Sequence, residues 1–240
     1  MKSFLILVLV LFYCQGPDLR AQPSVVSDAR RSSAEDRLTK SSAALQTFRK
    51  NASDAVQMLL DNALCIGVAP RRDADHAAAD AKGFVSCRSS RTGSWSRPAG
   101  VVIAGGGIFW PVYGSRIDAI VLTSNRTVAA RFRQPWNLLG VDIAVRPGGV
   151  QLDQFPKLID DPVVFAFEQS DEGISPLNVD GGTMTEDRAA NAALYGKELS
   201  NLAVVSGDRS GRSPIAVDSF LTALPSASST SEQPLVLKAE

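Results

Sequence analysis

The chain has 240 residues, with 25 lysines and arginines balanced by 25 aspartates and glutamates, and 45% of its residues are hydrophobic. Balanced charge argues against nucleic acid as a partner, and the length suits one domain with flexible ends or at most two small ones. His76 is the only histidine, which leaves little for a metal centre or a histidine base.

The first residues point to a compartment. Lys2 precedes an unbroken apolar run over residues 4–13. Crossing a bilayer takes about 20 apolar residues, so the run fits the core of a signal peptide, assigned to residues 1–21. Leu19-Arg20-Ala21 places a small residue just ahead of Gln22, where cleavage is expected. The alternatives are a retained N-terminal anchor and a lipid on Cys14, the latter opposed by bulky Phe12 and Tyr13. The expectation is an exported protein, periplasmic or secreted and peripheral to a membrane. Cleavage leaves Cys65 and Cys87, and an oxidising compartment favours a disulfide between them over two buried thiols.

Residues 22–33 are polar and without period, and read as a linker. Over 34–63, Leu38, Leu45, Phe48, Val56, Leu59 and Leu60 recur at helical spacing, predicting one unbroken helix capped by Ser33. Residues 64–69 and 83–88 read as strands, and 100–124 carries the strongest β signal, with Gly105, Gly106, Gly107 and Pro111 marking a bend or an edge. Asn125 is placed to cap a short helix reaching Arg133, and 138–145 reads as a strand. Residues 163–168 and 174–179 form an expected hairpin about a turn at 170–173. Thr185 is expected to cap a helix closed by Gly196, and 218–224 adds a further turn or two. The Ser/Thr-rich residues 225–240 read as a disordered tail. The sum is an α+β fold: an N-terminal helix, a mostly antiparallel β-sheet and short connecting helices.

The segment Trp95-Ser96-Arg97-Pro98-Ala99, the run Gly105-Gly106-Gly107 and the strand from Ile117-Asp118 to Leu122 resemble the SYLF domain, a lipid-binding family related to a yeast-type actin-binding domain. Ala81-Lys82-Gly83-Phe84, Gly140-Val141-Asp142, Asp180-Gly181-Gly182 and Asn191 with Leu194-Tyr195-Gly196 extend the resemblance over most of residues 34–224. The chain departs from the family at Ser86-Cys87-Arg88, at Phe109-Trp110-Pro111 and at Leu194. The resemblance implies binding to an anionic lipid or membrane surface. Export separates the chain from actin, so that activity is not carried over.

The residues support the same class by another route. Between Lys82 and Arg97 stand four bases, Lys82, Arg88, Arg91 and Arg97, and no acid, whereas residues 151–187 hold nine acids and only Lys157 as a base. The four bases and Trp95 form the candidate lipid-binding patch. Arg71, Arg72, Arg116, Arg126, Arg131 and Arg133 are supporting bases, and Trp110 and Tyr113 are further aromatic anchors. An alternative for all of these is a solvated face or core packing. The expected helix offers an apolar stripe to either a head-group plane or the sheet, with the sheet favoured. No nucleophile elbow, dinucleotide fingerprint or P-loop occurs, so no enzyme, cofactor or metal is expected. The alternative function is an envelope scaffold that binds another protein through the glycine-rich edge or the acidic region.

Overall fold

A computed structural model describes residues 23–71, 80–105, 117–147, 160–207 and 214–226. The expected signal peptide lies outside these residues, as do Arg72, His76, Trp110, Tyr113, Arg116 and the tail beyond Ser226. The fold is α+β. The strands are β1 (Cys65–Ala69), β2 (Asp80–Cys87), β3 (Ala99–Gly105), β4 (Asp118–Thr123), β5 (Trp136–Leu138), β6 (Ala144–Pro147), β7 (Val163–Ser170), β8 (Gly173–Pro176) and β9 (Gly182–Glu186). Among the described residues the helices are α1 (Pro23–Asn51), α2 (Asp54–Asn62), α3 (Arg126–Arg131), α4 (Arg188–Tyr195), α5 (Asn201–Val205) and α6 (Ile215–Ala223).

The nine strands among the described residues form one sheet in the order β5-β9-β3-β2-β1-β4-β7-β6, with β8 paired to β7. Every pairing is antiparallel except β6 with β7. The order carries a geometric demand. β5 and β6 stand at opposite ends of the path, yet Leu138 and Ala144 are only six residues apart. Six residues reach about 21 Å at most, whereas a flat sheet would separate these strands by about 34 Å. The sheet therefore curls until its outer strands approach. The connection is tied down on both sides: Gly140 N–H donates to Ile143 O (2.7 Å), and Leu139 N–H donates to Gly182 O of β9 (2.8 Å).

The curl gives the sheet two cores. On one face Ile66, Val68, Phe84, Ile120, Leu122, Phe165 and Phe167 meet Leu38, Leu45 and Phe48 of α1, Leu59 and Leu60 of α2, and Phe220 of α6. On the other face Val85, Val101, Ile103, Val121, Ala166 and Met184 close over one another with Val128 and Phe132 at α3 and Val204 of α5. β1 and β4 contact both cores and are buried along their whole length, which is why their sequences are apolar runs without alternation.

Several elements differ from the sequence expectation. The linker over 22–33 is replaced by the start of α1, which begins at Pro23. The single helix over 34–63 is two helices, because Ser53 leaves the helical conformation and its hydroxyl accepts from Val56 N–H as the cap of α2. The apolar stripe of α1 packs on the sheet, with Leu38, Leu45 and Phe48 fully buried. The strand over 138–145 is split into β5 and β6 by a turn in which Asp142 accepts from Leu138 N–H (2.7 Å). Thr185 lies inside β9, and Asp187 is the residue that caps α4, accepting from Ala190 N–H (3.0 Å). Gly196 closes α4 at φ 74°, a left-handed conformation that glycine adopts without strain. Pro225, placed in the tail by sequence, is buried.

Cys65 and Cys87 form a disulfide between directly opposed residues of β1 and β2, with Cα atoms 4.0 Å apart. Leu64 O accepts from Arg88 N–H one position outward, so the cysteines occupy a closely spaced, non-hydrogen-bonded pair. Both are buried in the inner core beside α3, where Cys65 Sγ lies 3.7 Å from Ala129 O. The bridge closes a loop that includes residues outside the described set, and a loop of this length is worth about 3 kcal/mol. Replacing both cysteines with alanine should lower unfolding free energy in urea by about that amount. An unchanged midpoint would show that the bridge contributes nothing to stability.

Candidate anion-binding cleft

One end of the sheet gathers the end of β2, the start of β3, the end of β4, the start of β5 and the end of β9. The link between β2 and β3 is the centre of this end. Arg88 and Trp95 form an isolated bridge that closes the link. Inside it, Ser89 N–H donates to Ser94 O and Gly93 N–H to Ser89 O, each at 2.8 Å. The Ser89 hydroxyl accepts from Arg91 N–H and Thr92 N–H, both at 3.3 Å. A serine side chain in place of a further backbone acceptor sets a tight turn. Its geometry leaves Arg91 at the exposed tip.

Arg88 has a different fate. Its guanidinium lies over the Trp95 ring, 4.3 Å from the centroid, and donates to four carbonyls: Ala63 (3.0 Å), Gly93 (3.2 Å), Pro225 (3.1 Å) and Ser226 (2.9 Å). Trp95 Nε1–H donates to Pro225 O at 2.7 Å. Together these bonds tie the turn, the end of α2 and the chain after α6 into one knot. Partial burial lowers the Arg88 pKa from its ordinary value, with Asp61 opposing. Arg97 is buried, with its guanidinium 4.6 Å from the centroid of the Tyr195 ring. The Tyr195 hydroxyl donates to Pro98 O. Burial pushes the Tyr195 phenol above its ordinary range, and the Arg97 charge opposes the rise.

The expected four-base patch is therefore corrected. Lys82 and Arg88 do share a face of β2, as even spacing implies, but it is the face that carries Phe84 and is covered by α1. Six residues also separate them by about 20 Å along the strand. Lys82 stands toward the opposite end of the sheet, Arg88 is consumed by carbonyls and Arg97 is enclosed. Of the four, only Arg91 presents its charge at the tip. Trp95 is half-buried with its indole N–H satisfied, so it props the turn and is no free interfacial anchor.

What stands beside Arg91 is Arg133. α3 is capped by Asn125, whose side-chain oxygen Oδ1 accepts from Thr127 and Val128 N–H. Phe132 anchors the chain after α3 in the inner core, and Arg133 follows at once. Across from it, α5 is capped by Ser200 and ends in Val205-Ser206-Gly207. These three segments enclose a cleft of about 460 Å³ lined by Arg91, Arg133, Ser89, Ser90, Thr92 and Ser206, among others. No carboxylate lines it among the described residues. The Arg133 Nε–H is buried without a hydrogen-bond partner.

The rest of this end is basic and exposed: Arg126 and Arg131 lie on α3, and Trp136, three residues beyond Arg133, is 52% exposed. Among nearby carboxylates, Asp161 is engaged by Arg146, Asp187 by Arg37, and Glu186 by Arg188 and the N–H of Asn201, while Asp160, whose backbone oxygen accepts from the Asn125 side chain, is exposed. The opposite end carries Asp80, Asp118, Asp171, Glu172 and Asp180. There Arg71, expected among the lipid-facing bases, is held by Asp118 (3.2 Å) and Asp171 (2.8 Å), and the Asp171 hydrogen bond leads the causes that raise its pKa.

Sequence reasoning named Arg133 only as a supporting base and missed α5. Neither has a motif. The one usable signal was Asn125 as a cap, which fixes where α3 begins; Arg133 emerges because the helix ends at Phe132, seated in the inner core. No protein-family model matches the chain, and no curated protein matches it.

Arg88→Ala should destabilise the fold by about 2 kcal/mol or more, because it removes charge-assisted bonds and leaves carbonyls unpaired. Arg91→Ala at the exposed tip should change stability by less than about 0.5 kcal/mol. Denaturant melts of the two variants check the contrast, and equal effects would contradict the assigned roles.

Proposed function

We propose that the chain is an exported, non-enzymatic, peripheral protein that docks the arginine-bearing end of its sheet on an anionic lipid surface. The observation that carries this reading is the cleft shared by Arg91 and Arg133, with no carboxylate among its described lining residues. Exposed Arg126, Arg131 and Trp136 at the same end extend it. Bases near an anionic membrane contribute on the order of 1 kcal/mol each, and an exposed tryptophan favours the head-group level.

Export is supported by the apolar run at residues 4–13 and is compatible with the disulfide. No helix among the described residues is long and apolar enough to cross a membrane. Docking is thus attributed to the surface. The resemblance to the SYLF domain points to the same class of ligand.

Co-sedimentation with vesicles tests the reading. The chain should bind vesicles containing anionic lipid, should not bind zwitterionic ones, and should release as salt shortens the Debye length below about 8 Å. Arg91→Glu with Arg133→Glu should weaken binding at least about tenfold while the thermal melt stays close to that of the parent. Equal binding to zwitterionic vesicles, or full binding by the double variant, would sink the electrostatic reading.

A further inference from the structure

We infer that the cleft between the β2–β3 turn, Arg133 and the end of α5 is a discrete site for a phosphate monoester, held by the Arg91 and Arg133 guanidinium groups together. The inference rests on the reading of the same end as the docking surface and gives that surface a stoichiometric ligand.

The argument begins with shape. A flat basic surface attracts anions without choosing among them. Here two arginines from different segments, a turn tip and the chain after α3, line one concavity of about 460 Å³. That is within the range of small-molecule sites, roughly 300–1,000 Å³, and leaves room for the group esterified to the phosphate. Guanidinium groups present planar forks of donors that match phosphate oxygens, and two of them match the charge of a dianion better than that of a diester.

The remaining lining fits the same ligand. Hydroxyls from Ser89, Ser90, Thr92 and Ser206 ring the cleft, and each is a donor that adds no charge. No described carboxylate is present to neutralise the arginines or repel the oxyanion. The walls are also well supported. The Arg88–Trp95–Pro225 knot holds the turn from behind, and Phe132 and Val204 seat the other two segments in the inner core. A preorganised wall reduces the ordering cost of binding.

Arg133 supplies a second, independent observation. Its Nε–H is buried and has no hydrogen-bond partner. A buried donor left unmet is costly, and native structures satisfy nearly all of them. The same side chain lines the cleft.

Titration calorimetry of the chain with glycerol 3-phosphate, beside flotation on vesicles of phosphatidic acid or phosphatidylglycerol at matched surface charge, tests this. Saturable 1:1 binding of glycerol 3-phosphate is expected, with preference for phosphatidic acid vesicles. Arg91→Ala and Arg133→Lys should each weaken the soluble ligand about tenfold. Arg126→Ala, which lies outside the cleft, should leave the soluble ligand unchanged and weaken only vesicle binding. A free phosphate ester bound without any vesicle binding upholds the cleft and overturns the membrane reading. Vesicle binding with no soluble ligand, no monoester preference and equal losses in all three variants overturns the cleft and keeps the surface. Binding in neither arm overturns both.

Discussion

A sheet whose outermost strands are joined by six residues has to curl, and most of the molecule follows from that demand. The connection from Leu138 to Ala144 pulls β5 and β6 toward each other. The curl turns one face inward, where side chains as small as Ala166 and Val101 close a core together with Val128 and Phe132 at α3 and Val204 of α5. The other face is left convex and needs a cover, which the helices provide. The two cores share β1 and β4, so disturbing either face disturbs both. The disulfide sits at that shared region, locking β1 to β2 at the end where the cleft forms.

The same curl brings together segments that are remote in sequence. α3 follows β4, α5 follows α4, and the β2–β3 turn belongs to the opposite side of the path, yet all three close on one cleft. Tightly packed elements support it from below. Gly100 in β3 is backed so closely by α4 that a side chain there would come within 2.7 Å of Asp187 O and 2.9 Å of Ala190 Cβ. Asn191 of α4 accepts from Gly100 N–H (2.7 Å) and donates to Asn201 at the start of α5 (2.9 Å), a buried polar link from strand to helix to helix. The end of the sheet is therefore stiff where the arginines emerge.

Much of the fold was legible in sequence because buried strands and the hairpin leave strong local marks. The run at 64–69, the two ends of 100–124 and the turn at Asp171-Glu172 fall where the apolar pattern put them. What escaped is equally physical. Helical periodicity continues across Ala52-Ser53, because a two-residue departure for a cap does not disturb the spacing of Val56, Leu59 and Leu60. Leu138 to Val145 looks like one strand because an apolar run conceals a turn made by Gly140 at φ 87° and the Asp142 carboxylate. Thr185 has the chemistry of a cap and the branching of a strand residue, and pairing with Val102 and Trp136 decides it. For the arginines, local sequence was least informative. A run without acids reads as a solvated patch, but Arg97 finds Tyr195 and Arg88 finds Pro225, partners about a hundred residues or more away. Arg91 and Arg133, the pair that shares a cleft, are joined only by the fold.

The account stands or falls on which end of the sheet meets the membrane. Hydrogen exchange of the chain, free and bound to anionic vesicles, reads this directly. The account predicts slowed exchange on binding at residues 89–94, 131–136 and 205–207, and none at 171–173 or 180–182. Protection confined to the acidic end, or to the outer surface of α1 with the cleft unchanged, would contradict it.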